Sequence, residues 1–515
     1  MPITKSKQHQ RWVIPAFILA LASGILMGLT VAPVEAWFLG WIALVPLWVI
    51  VASSIPRKTK ILSASLWGIG YHGVALSWIT GVHPMMWMGV PWLASIAIAL
   101  FCWAAITFWG AVLVTIWAVG MTVLSRGAGI FTRILIGVAL WCGLESLWSL
   151  GPLYWTSLSY TQSPHNLVIL HLGQISGSLA VTAVIVAVNA LLAEAWMMYQ
   201  NLARNYQAAT RLFASSCVLF VALHLIGFSL YSRPLVQPPE TALRVGIIQG
   251  NIPNKIKLYP EGLRKAIAGY TEGYITLVDQ GVEAVLTPEG ALPFMWSEVQ
   301  RTPFYEAVQE KGVTAWLGTF GEQGQNYTNS LFTLTEDGEF SRYNKVKLVP
   351  IGEYIPFEQV LGGIIQRLSP LEAKQVAGSP NQVFDTPFGR AIAVICYSSA
   401  FPEQLRYQAA AGGQFILSAA NNAHYSPSMP AQHHAQDIMR AIETDRWAVR
   451  ATNTGYSGIV DPHGRTLWIS GINTYELHAE TIYRRTTQTL YVRWGDWLTP
   501  LLLGLAIILK LTSLP

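Results

Sequence analysis

Three residues of this sequence follow or lie beside short apolar runs and could together carry out covalent chemistry. Glu289 comes after the run AVLTP, Lys345 lies in the stretch YNKVKLVP, and Cys396 follows the run AIAVI. A carboxylate can take the proton of a thiol, a thiolate can attack a carbonyl carbon, and an ammonium can stabilise the oxyanion that develops. The three residue types therefore indicate a base, a cation and a nucleophile.

Each of these residues also has a purely structural interpretation. Free cysteine is among the most buried residue types, so Cys396 alone is typical of a packed strand end. Glu289 alone is consistent with a carboxylate at the start of a helix. Lys345, with Arg342 and Lys347 close by, is consistent with a solvated basic strand. Taken singly, none of the three residues establishes a catalytic site.

The elements that position these residues belong to an α/β pattern between residues 243 and 447. Helical patterns at 260–280 and 430–447 alternate with apolar runs that are typical of strands. The predicted strands are LRVGIIQGNI (243–252), AVLTPEG (284–290), TAWLGTFG (314–321), SLFTLTEDGEF (330–340), RAIAVICYS (390–398) and QFILSAAN (414–421). Alternation of this kind predicts a layered α/β domain, in which residues just after buried strands are well placed for chemistry.

The rest of the chain has the composition of a membrane protein. Hydrophobic residues make up 52% of the 515 residues and charged residues only 12%. A helix needs about 20 apolar residues to cross the hydrocarbon layer, and eight stretches are predicted to do so. These are residues 12–32, 36–54, 61–80, 91–124, 132–149, 172–197, 211–231 and 496–513. The formal charge of +5 is modest for this length and gives no indication of nucleic-acid binding.

Lysine and arginine are distributed unevenly among the predicted loops. The N-terminus and the loops at 53–60, 125–133 and 200–211 carry positive charge, whereas the intervening loops carry none. This bias predicts that both termini lie in the cytoplasm. Seven crossings then place the long segment between the last two helices on the far side. We therefore expect a helical domain at 1–232, an extracytoplasmic domain at 233–495 and a C-terminal helix at 496–515.

Cysteine usage separates Cys396 from the other thiols. Cys102, Cys142 and Cys217 fall within predicted spans, so Cys396 is the only cysteine of the extracytoplasmic segment. No disulfide can form inside that segment, and a lone thiol in an oxidising compartment is a liability unless it is buried or used. No metal site is expected, because the histidines have neither the spacing nor the companion ligands for one. The histidines considered are His424, His433, His434 and His463.

Three motifs in order carry a resemblance to a known family. They are TPEGALPF (287–294), YNKVKLVPIGEYIPF (343–357) and VICYSSAFPE (394–403). They resemble the Glu, Lys and Cys motifs of the nitrilase superfamily, and the membrane setting and QGNIP at 249–253 resemble the apolipoprotein N-acyltransferase family. The resemblance implies an αββα sandwich for the extracytoplasmic domain. It covers nearly the whole chain.

The resemblance also implies roles for individual residues. Glu289 matches the general base, Lys345 the lysine that supports the oxyanion, and Cys396 the nucleophile that accepts a fatty acyl chain as a thioester. Glu353 matches a second carboxylate near the lysine, and the intramembrane Glu145 suggests a structural or lipid-headgroup role. Tyr397 and Ser398, which follow the cysteine, are expected to support the site.

The implied reaction needs no cofactor and has two lipid substrates. The donor is a membrane phospholipid, such as phosphatidylethanolamine, and the acceptor is the free α-amine of a diacylglyceryl-cysteine apolipoprotein. Transfer through a thioester gives ping-pong kinetics. The implied location is the bacterial inner membrane, with the catalytic domain in the periplasm, and we expect a monomer.

The sequence departs from the family pattern at two places. An acidic residue commonly stands two residues after the family's cysteine, whereas this chain has Ser398. The stretch that usually resembles SNDAWFG is here SAANNAHYSPS, residues 418–428. The first change removes a negative charge from beside the nucleophile, which would favour the thiolate or remove a positioning contact. Because all three chemical roles remain filled, the sequence still predicts an active enzyme.

Three other functions were weighed against acyl transfer. A membrane-anchored amidase of the same superfamily would need only one or two helices, so eight predicted spans argue against it. A non-catalytic protein that binds lipid or lipoprotein would keep the fold without using Cys396. A transporter is disfavoured because the spans lack paired broken helices and a series of buried charges.

Overall fold

The computed structural model describes residues 5–200, 206–355 and 374–512. Contacts within the chain divide it into two units. The first comprises Met1–Thr80, Ile98–Arg233 and Trp494–Pro515, and the second comprises Gly81–Ala97 and Pro234–Arg493. The second unit thus includes the loop after the predicted span at 61–80 and the first residues of the predicted span at 91–124. The functional domain boundaries expected from the sequence stay predictions.

Helices make up the first unit. The α-helices that precede the sheets are α1 (Lys5–Gly28), α2 (Val45–Ala52), α3 (Arg57–Ala75), α4 (Trp92–Leu124), α5 (Ile130–Leu150), α6 (Leu167–Leu170), α7 (Gly173–Ser176), α8 (Ser178–Gln200) and α9 (Tyr206–Tyr231). Short 3₁₀ helices lie at Trp37–Trp41, Ser77–Val82, Met86–Met88 and Leu158–Gln162. Among the described residues, four helices are long and apolar enough to cross a membrane, namely α4, α5, α8 and α9. Eight crossings remain a prediction.

The predicted span at 36–54 is divided into a 3₁₀ helix and α2 rather than formed by one long helix. Other helices supply partners for the backbone at the break. Oδ1 of Asn189 accepts a hydrogen bond from the backbone N–H of Leu44 at 3.0 Å. Nε1 of Trp67 donates to the carbonyl oxygen of Ala43 at 3.1 Å. Because these groups are satisfied, the chain can leave the helical conformation inside an apolar stretch.

Two six-stranded sheets form the centre of the second unit, with strand orders β12-β1-β2-β3-β4-β5 and β11-β10-β9-β8-β7-β6. The strands are β1 (Ala242–Gln249), β2 (Ala284–Leu286), β3 (Thr314–Gln323), β4 (Asn326–Thr335), β5 (Gly338–Asn344), β6 (Phe384–Thr386), β7 (Gly389–Ile395), β8 (Ile416–Ala420), β9 (Ala448–Thr452), β10 (Gly458–Val460), β11 (Thr466–Ile469) and β12 (Glu476–Tyr483). Strands β1, β2 and β3 are parallel, as are β7, β8 and β9.

Helices cover the outer faces of both sheets. They are α10 (Asn254–Lys257), α11 (Pro260–Asp279), α12 (Trp296–Val299), α13 (Pro303–Lys311), α14 (Pro402–Ala410), α15 (Ser428–Thr444) and α16 (Leu490–Trp494), while α17 (Leu498–Thr512) belongs to the first unit. One buried core joins the sheets, with Val245 and Trp316 from one and Ile395 and Leu417 from the other. A second core holds the first sheet to α11 and α13. The predicted layered α/β fold is confirmed as an αββα sandwich.

Two strand predictions differ from the structure. The strand predicted over 390–398 ends at Ile395 and is followed by a 3₁₀ helix at Cys396–Ala400. The stretch 330–340 was expected to form a single strand, but it contains the end of β4, a tight turn and the start of β5. Thr335 pairs with Gly338 across the turn, and Gly338 has a φ of +105°. An Asp-Gly pair favours such a turn because glycine adopts positive φ without a steric cost. The hairpin returns the chain so that β5 ends immediately before Lys345.

Candidate active site

Glu289 lies in the loop after β2, and its carboxylate is fixed by three donors. Oε1 accepts hydrogen bonds from Nζ of Lys345 and Nδ2 of Asn329, both at 2.8 Å. Oε2 accepts from the backbone N–H of Asn421 at 3.0 Å. Burial raises the pKa of Glu289, but the charge and hydrogen bond of Lys345 and the charge of Lys257 outweigh it and leave the pKa below its ordinary value. Glu289 is therefore ionised and able to accept a proton.

Lys345 follows β5 directly and is 1% exposed. Its Nζ donates to Glu289 and, at 2.6 Å, to Oε1 of Glu353, whose Oε2 accepts from the backbone N–H of Val349 at 2.7 Å. Burial lowers the pKa of Lys345, but the two carboxylates raise it well above the ordinary value. The lysine is therefore an ammonium ion held between two anions. Motif residues 356–357 lie outside the described residues.

Cys396 follows β7 and has a φ of +48°, a backbone conformation that side chains with a Cβ rarely adopt. Its thiol is 3.9 Å from the carbonyl oxygen of Asn421. Burial and the charge of Glu289 raise the pKa of Cys396 to about 12, while the charge of Lys345 opposes that shift. The resting thiol is therefore protonated at neutral pH. Attack by sulfur requires a base beside it, and Glu289 is close enough for each group to shift the pKa of the other.

His433 on α15 bonds the turn that carries Cys396. Its Nε2 lies 3.1 Å from the carbonyl oxygen of Cys396 and 2.5 Å from Oγ of Ser399. Its Nδ1 lies 3.3 Å from Nδ2 of Asn422. Because that amide nitrogen donates to Nδ1, Nε2 carries the proton and donates to the carbonyl oxygen. Burial lowers the pKa of His433 well below its ordinary value, so the ring is neutral. His433 thus positions Cys396 through the backbone.

We expect His433→Ala to lower kcat by about 10-fold while leaving KM nearly unchanged, because the positive-φ turn at Cys396 loses its support. The alkylation rate of Cys396 by a small reagent should fall in parallel, which a purely structural role would not require. His433→Gln retains a donor and should recover part of both rates. A folded His433→Ala protein with the parent's alkylation rate would contradict the positioning role.

Tyr397 and Ser398 lie on the turn that follows Cys396. Ser398 is fully buried, and its Oγ accepts from the backbone N–H of Lys347 at 3.2 Å. Tyr397 packs edge-on against Phe401, with ring centroids 5.1 Å apart. Ser398 therefore joins the cysteine turn to the segment that carries Lys345. Its predicted effect on the thiol stays a prediction.

Two asparagines of the site were not predicted. Asn329, on β4, holds Glu289, and its backbone carbonyl accepts from the N–H of Lys345 at 2.8 Å. Nothing local in the sequence indicates this role, since Asn329 lies 40 positions from Glu289 along the chain. Asn421 directly follows β8, so the position of a polar residue after a buried strand could have indicated it. Both asparagines orient charged groups rather than supply new chemistry.

Glu145 belongs to α5 of the first unit and is only 3% exposed. Its Oε1 accepts from Nε1 of Trp141 at 3.1 Å and from the backbone N–H of Leu158 at 3.0 Å. Its Oε2 accepts from hydroxyls of Ser157 and Thr182, both at 2.9 Å. Four donors from the same unit surround the carboxylate. This arrangement favours the structural alternative for Glu145 over the lipid-headgroup alternative.

Glu145→Ala is expected to destabilise the protein by about 3 kcal/mol or more, because several buried donors lose their acceptor at once. Glu145→Gln keeps one acceptor oxygen and should cost less. Thermal unfolding of the detergent-solubilised protein measures both effects. Unchanged melting of Glu145→Ala, accompanied by weaker phospholipid binding, would instead support the headgroup role.

The arrangement of Glu289, Lys345 and Cys396 suits acyl transfer through a thioester. A base lies beside a thiol, and an ammonium ion lies where negative charge develops. Across the described ranges, no group of three or more His, Cys, Asp or Glu side chains is placed to hold a metal ion.

Comparisons with known proteins agree over both units. Residues 244–489 match the carbon-nitrogen hydrolase family, and residues 23–191 match the apolipoprotein N-acyltransferase N-terminal domain. An apolipoprotein N-acyltransferase of Nostoc sp. is 65% identical over 487 residues, covering 94% of this chain and 96% of that protein. The corresponding protein of Synechocystis sp. is 49% identical, covering 94% and 98%, and that of Thermosynechococcus vestitus is 44% identical, covering 97% and 96%.

Proposed function

This chain belongs to the apolipoprotein N-acyltransferase family, and we propose that it transfers a fatty acyl chain from a membrane phospholipid to an apolipoprotein through a thioester on Cys396. The acceptor is the α-amino group of the N-terminal diacylglyceryl-cysteine. The observation that carries the residue assignment is the bonded pair of Glu289 and Lys345 beside the buried thiol. The chain is an N-acyltransferase and a membrane protein.

In the first half-reaction, Glu289 takes the thiol proton and sulfur attacks the ester carbon of the phospholipid. A carbon–sulfur bond forms, and Lys345 stabilises the oxyanion of the tetrahedral intermediate. The carbon–oxygen ester bond then breaks. Protonated Glu289 returns its proton to the departing alkoxide, which leaves as a lysophospholipid. The high pKa of Cys396, about 12, explains why thiolate formation is coupled to attack.

In the second half-reaction, the neutral α-amine of the acceptor attacks the thioester carbon. Glu289 takes the amine proton, the carbon–sulfur bond breaks, and an amide is formed. The thiolate then regains a proton from Glu289. The same base thus serves both half-reactions, as ping-pong transfer requires.

We also propose a membrane topology and an acyl donor for this enzyme. Eight helices cross the bacterial inner membrane, both termini lie in the cytoplasm, and the catalytic unit lies in the periplasm. The uneven distribution of Lys and Arg supports this orientation. Phosphatidylethanolamine or a similar phospholipid is the donor, and the enzyme acts as a monomer.

The proposal is tested by incubating the purified protein with a phospholipid that carries an isotopically heavy acyl chain. Mass analysis should show the acyl mass on the Cys396 peptide, and hydroxylamine should release it as expected for a thioester. Addition of a diacylglyceryl-cysteine peptide should discharge the adduct to an amide. Absence of the adduct contradicts the acyl-enzyme, and discharge only to water indicates an amidase-like hydrolase.

A further inference from the structure

Lys257 is a second buried lysine of the active-site region, and the mechanism above does not use it. It ends the short helix α10 and is 7% exposed. Its Nζ donates to the backbone carbonyl oxygen of Glu289 at 3.1 Å. The titratable groups that face Lys257 are Glu289, Cys396 and the exposed imidazole of His424.

Lys257 differs from Lys345 in its bonding. Lys345 contacts two carboxylates, whereas Lys257 forms no ion pair with any side chain in the described part of the protein and bonds one neutral carbonyl. An ammonium group has three N–H donors, so two remain available. Taking a cation out of water without a counter-ion is costly. Burial accordingly lowers the pKa of Lys257 to about 8, against the opposing charges of Glu289 and Cys396.

Asn254, on the same helix, contributes a second unused donor. Its Oδ1 accepts from Nδ2 of Asn421 at 3.1 Å, which fixes the amide group. Its Nδ2 is buried and has no hydrogen-bond partner among the described residues. One short helix thus carries a buried cation with two unused N–H groups and a buried amide nitrogen without an acceptor among the described residues. Both fit an anionic oxygen group that arrives with a ligand.

The tetrahedral oxyanion is the less suitable anion for this position. Nζ of Lys345 bonds the carboxylate of Glu289, the group that takes the thiol proton, whereas Nζ of Lys257 bonds only the backbone carbonyl oxygen of that residue. The oxyanion forms on the carbon that is bonded to sulfur, and the proposed mechanism assigns its stabilisation to Lys345. Lys257 therefore suits a group farther along the donor than the reacting ester.

We propose that Lys257, assisted by Asn254, binds the phosphate of the phospholipid acyl donor. The inference rests on the proposed function, because it assigns this phosphate to the substrate of the same site. The phosphate supplies a counter-ion for the ammonium group of Lys257 and oxygen acceptors for its two remaining N–H groups. The diacylglyceryl-cysteine acceptor carries no phosphate at this position, so the contact between Lys257 and phosphate should affect the first half-reaction only.

The test compares two acyl donors with the full-length protein in detergent: a phospholipid and the diacylglycerol with the same acyl chains, which lacks the phosphate. With the phospholipid, Lys257→Met should raise KM for acyl-enzyme formation by about 10- to 100-fold, as expected for the loss of one charged hydrogen bond. With diacylglycerol the loss in Lys257→Met should be several-fold smaller, because only the contribution of the Lys257 charge to the ionisation of Glu289 is removed. Lys257→Arg keeps the charge and should restore part of the phospholipid KM.

Lys255→Met is the matched control, because Lys255 lies on the same helix and is exposed. Its kinetics should equal those of the parent with both donors. Discharge of a preformed acyl-enzyme by a diacylglyceryl-cysteine peptide should change no more in Lys257→Met than acylation by diacylglycerol does, because neither of these steps involves a phosphate. Thermal unfolding and alkylation of Cys396 show whether Lys257→Met is folded.

Two results would overturn the phosphate assignment. If Lys257→Met lowered acyl-enzyme formation equally with phospholipid and with diacylglycerol, Lys257 would act on the oxyanion or on Glu289 rather than on the phosphate. An unchanged phospholipid KM in a folded Lys257→Met protein would leave it without a role in donor binding. Failure of the parent itself to form an acyl-enzyme with any donor would contradict the proposed function instead, so the two failures can be told apart.

Discussion

Cys396→Ala is expected to give a folded protein that forms no acyl-enzyme and loses acyl transfer by about 10⁴-fold or more, because no other group replaces the nucleophile. The thiol is buried and small, so its removal should change the free energy of unfolding by only about 1 kcal/mol. Cys396→Ser should also be severely impaired, since a hydroxyl is far less acidic than a thiol. Transfer of a labelled acyl chain to a diacylglyceryl-cysteine peptide measures both effects.

The matched control is Cys217→Ser, which changes an exposed thiol of the first unit. It should retain the parent's transfer rate and the acyl mass on Cys396. Acyl transfer at the parent's rate by a folded Cys396→Ala protein would exclude the thioester route. It would leave either another nucleophile or direct attack of the acceptor on the phospholipid.

Glu289→Gln should lower acylation of Cys396 by about 10²- to 10⁴-fold, the usual contribution of a general base. The amide keeps the size of the side chain, and its oxygen can still accept from Lys345 and Asn329, while the bond from the backbone N–H of Asn421 is lost. Alkylation of the thiol is expected to change in the opposite direction. The charge of Glu289 raises the pKa of Cys396, so removing that charge lowers the pKa and forms thiolate at lower pH.

The experiment therefore measures two pH profiles, one for acylation by phospholipid and one for alkylation by a small reagent. In the parent, alkylation should increase as the pH approaches the thiol pKa of about 12. In Glu289→Gln, the alkylation profile should shift to lower pH while acylation falls. A parallel loss of both reactivities would indicate a disturbed site rather than a missing base. Glu283→Gln, an exposed change just before β2, is the control.

Residue type and motif predicted the roles of Glu289, Lys345 and Cys396, which stay predictions, and hydrophobic periodicity predicted the α/β layering, which the structure has. The path of the chain was predicted less completely. The hairpin within 330–340 and the break within 36–54 were missed. Both depend on how turns and neighbouring side chains satisfy the backbone, which an apolar run by itself does not indicate.

The tertiary structure decided which other residues surround Glu289, Lys345 and Cys396. Asn329 orients Glu289 from another strand, and His433 holds the turn of Cys396 from α15. Glycine is the usual residue at positive φ, so the φ of +48° at Cys396 could not be inferred from residue type. These contacts join positions that are distant along the chain, and no local pattern encodes them.

The sequence by itself determined a membrane protein with an α/β domain and with Glu, Lys and Cys motifs in that order along the chain. Composition, hydrophobic periodicity and motifs can all be read from the order of the residues. Only the tertiary structure decided that these residues meet where β2, β5 and β7 end, across two packed sheets. It also distinguished the two buried lysines, one between carboxylates and one facing a single carbonyl. Charge and burial act through space, and the partners of a buried group appear only when the sheets are packed together.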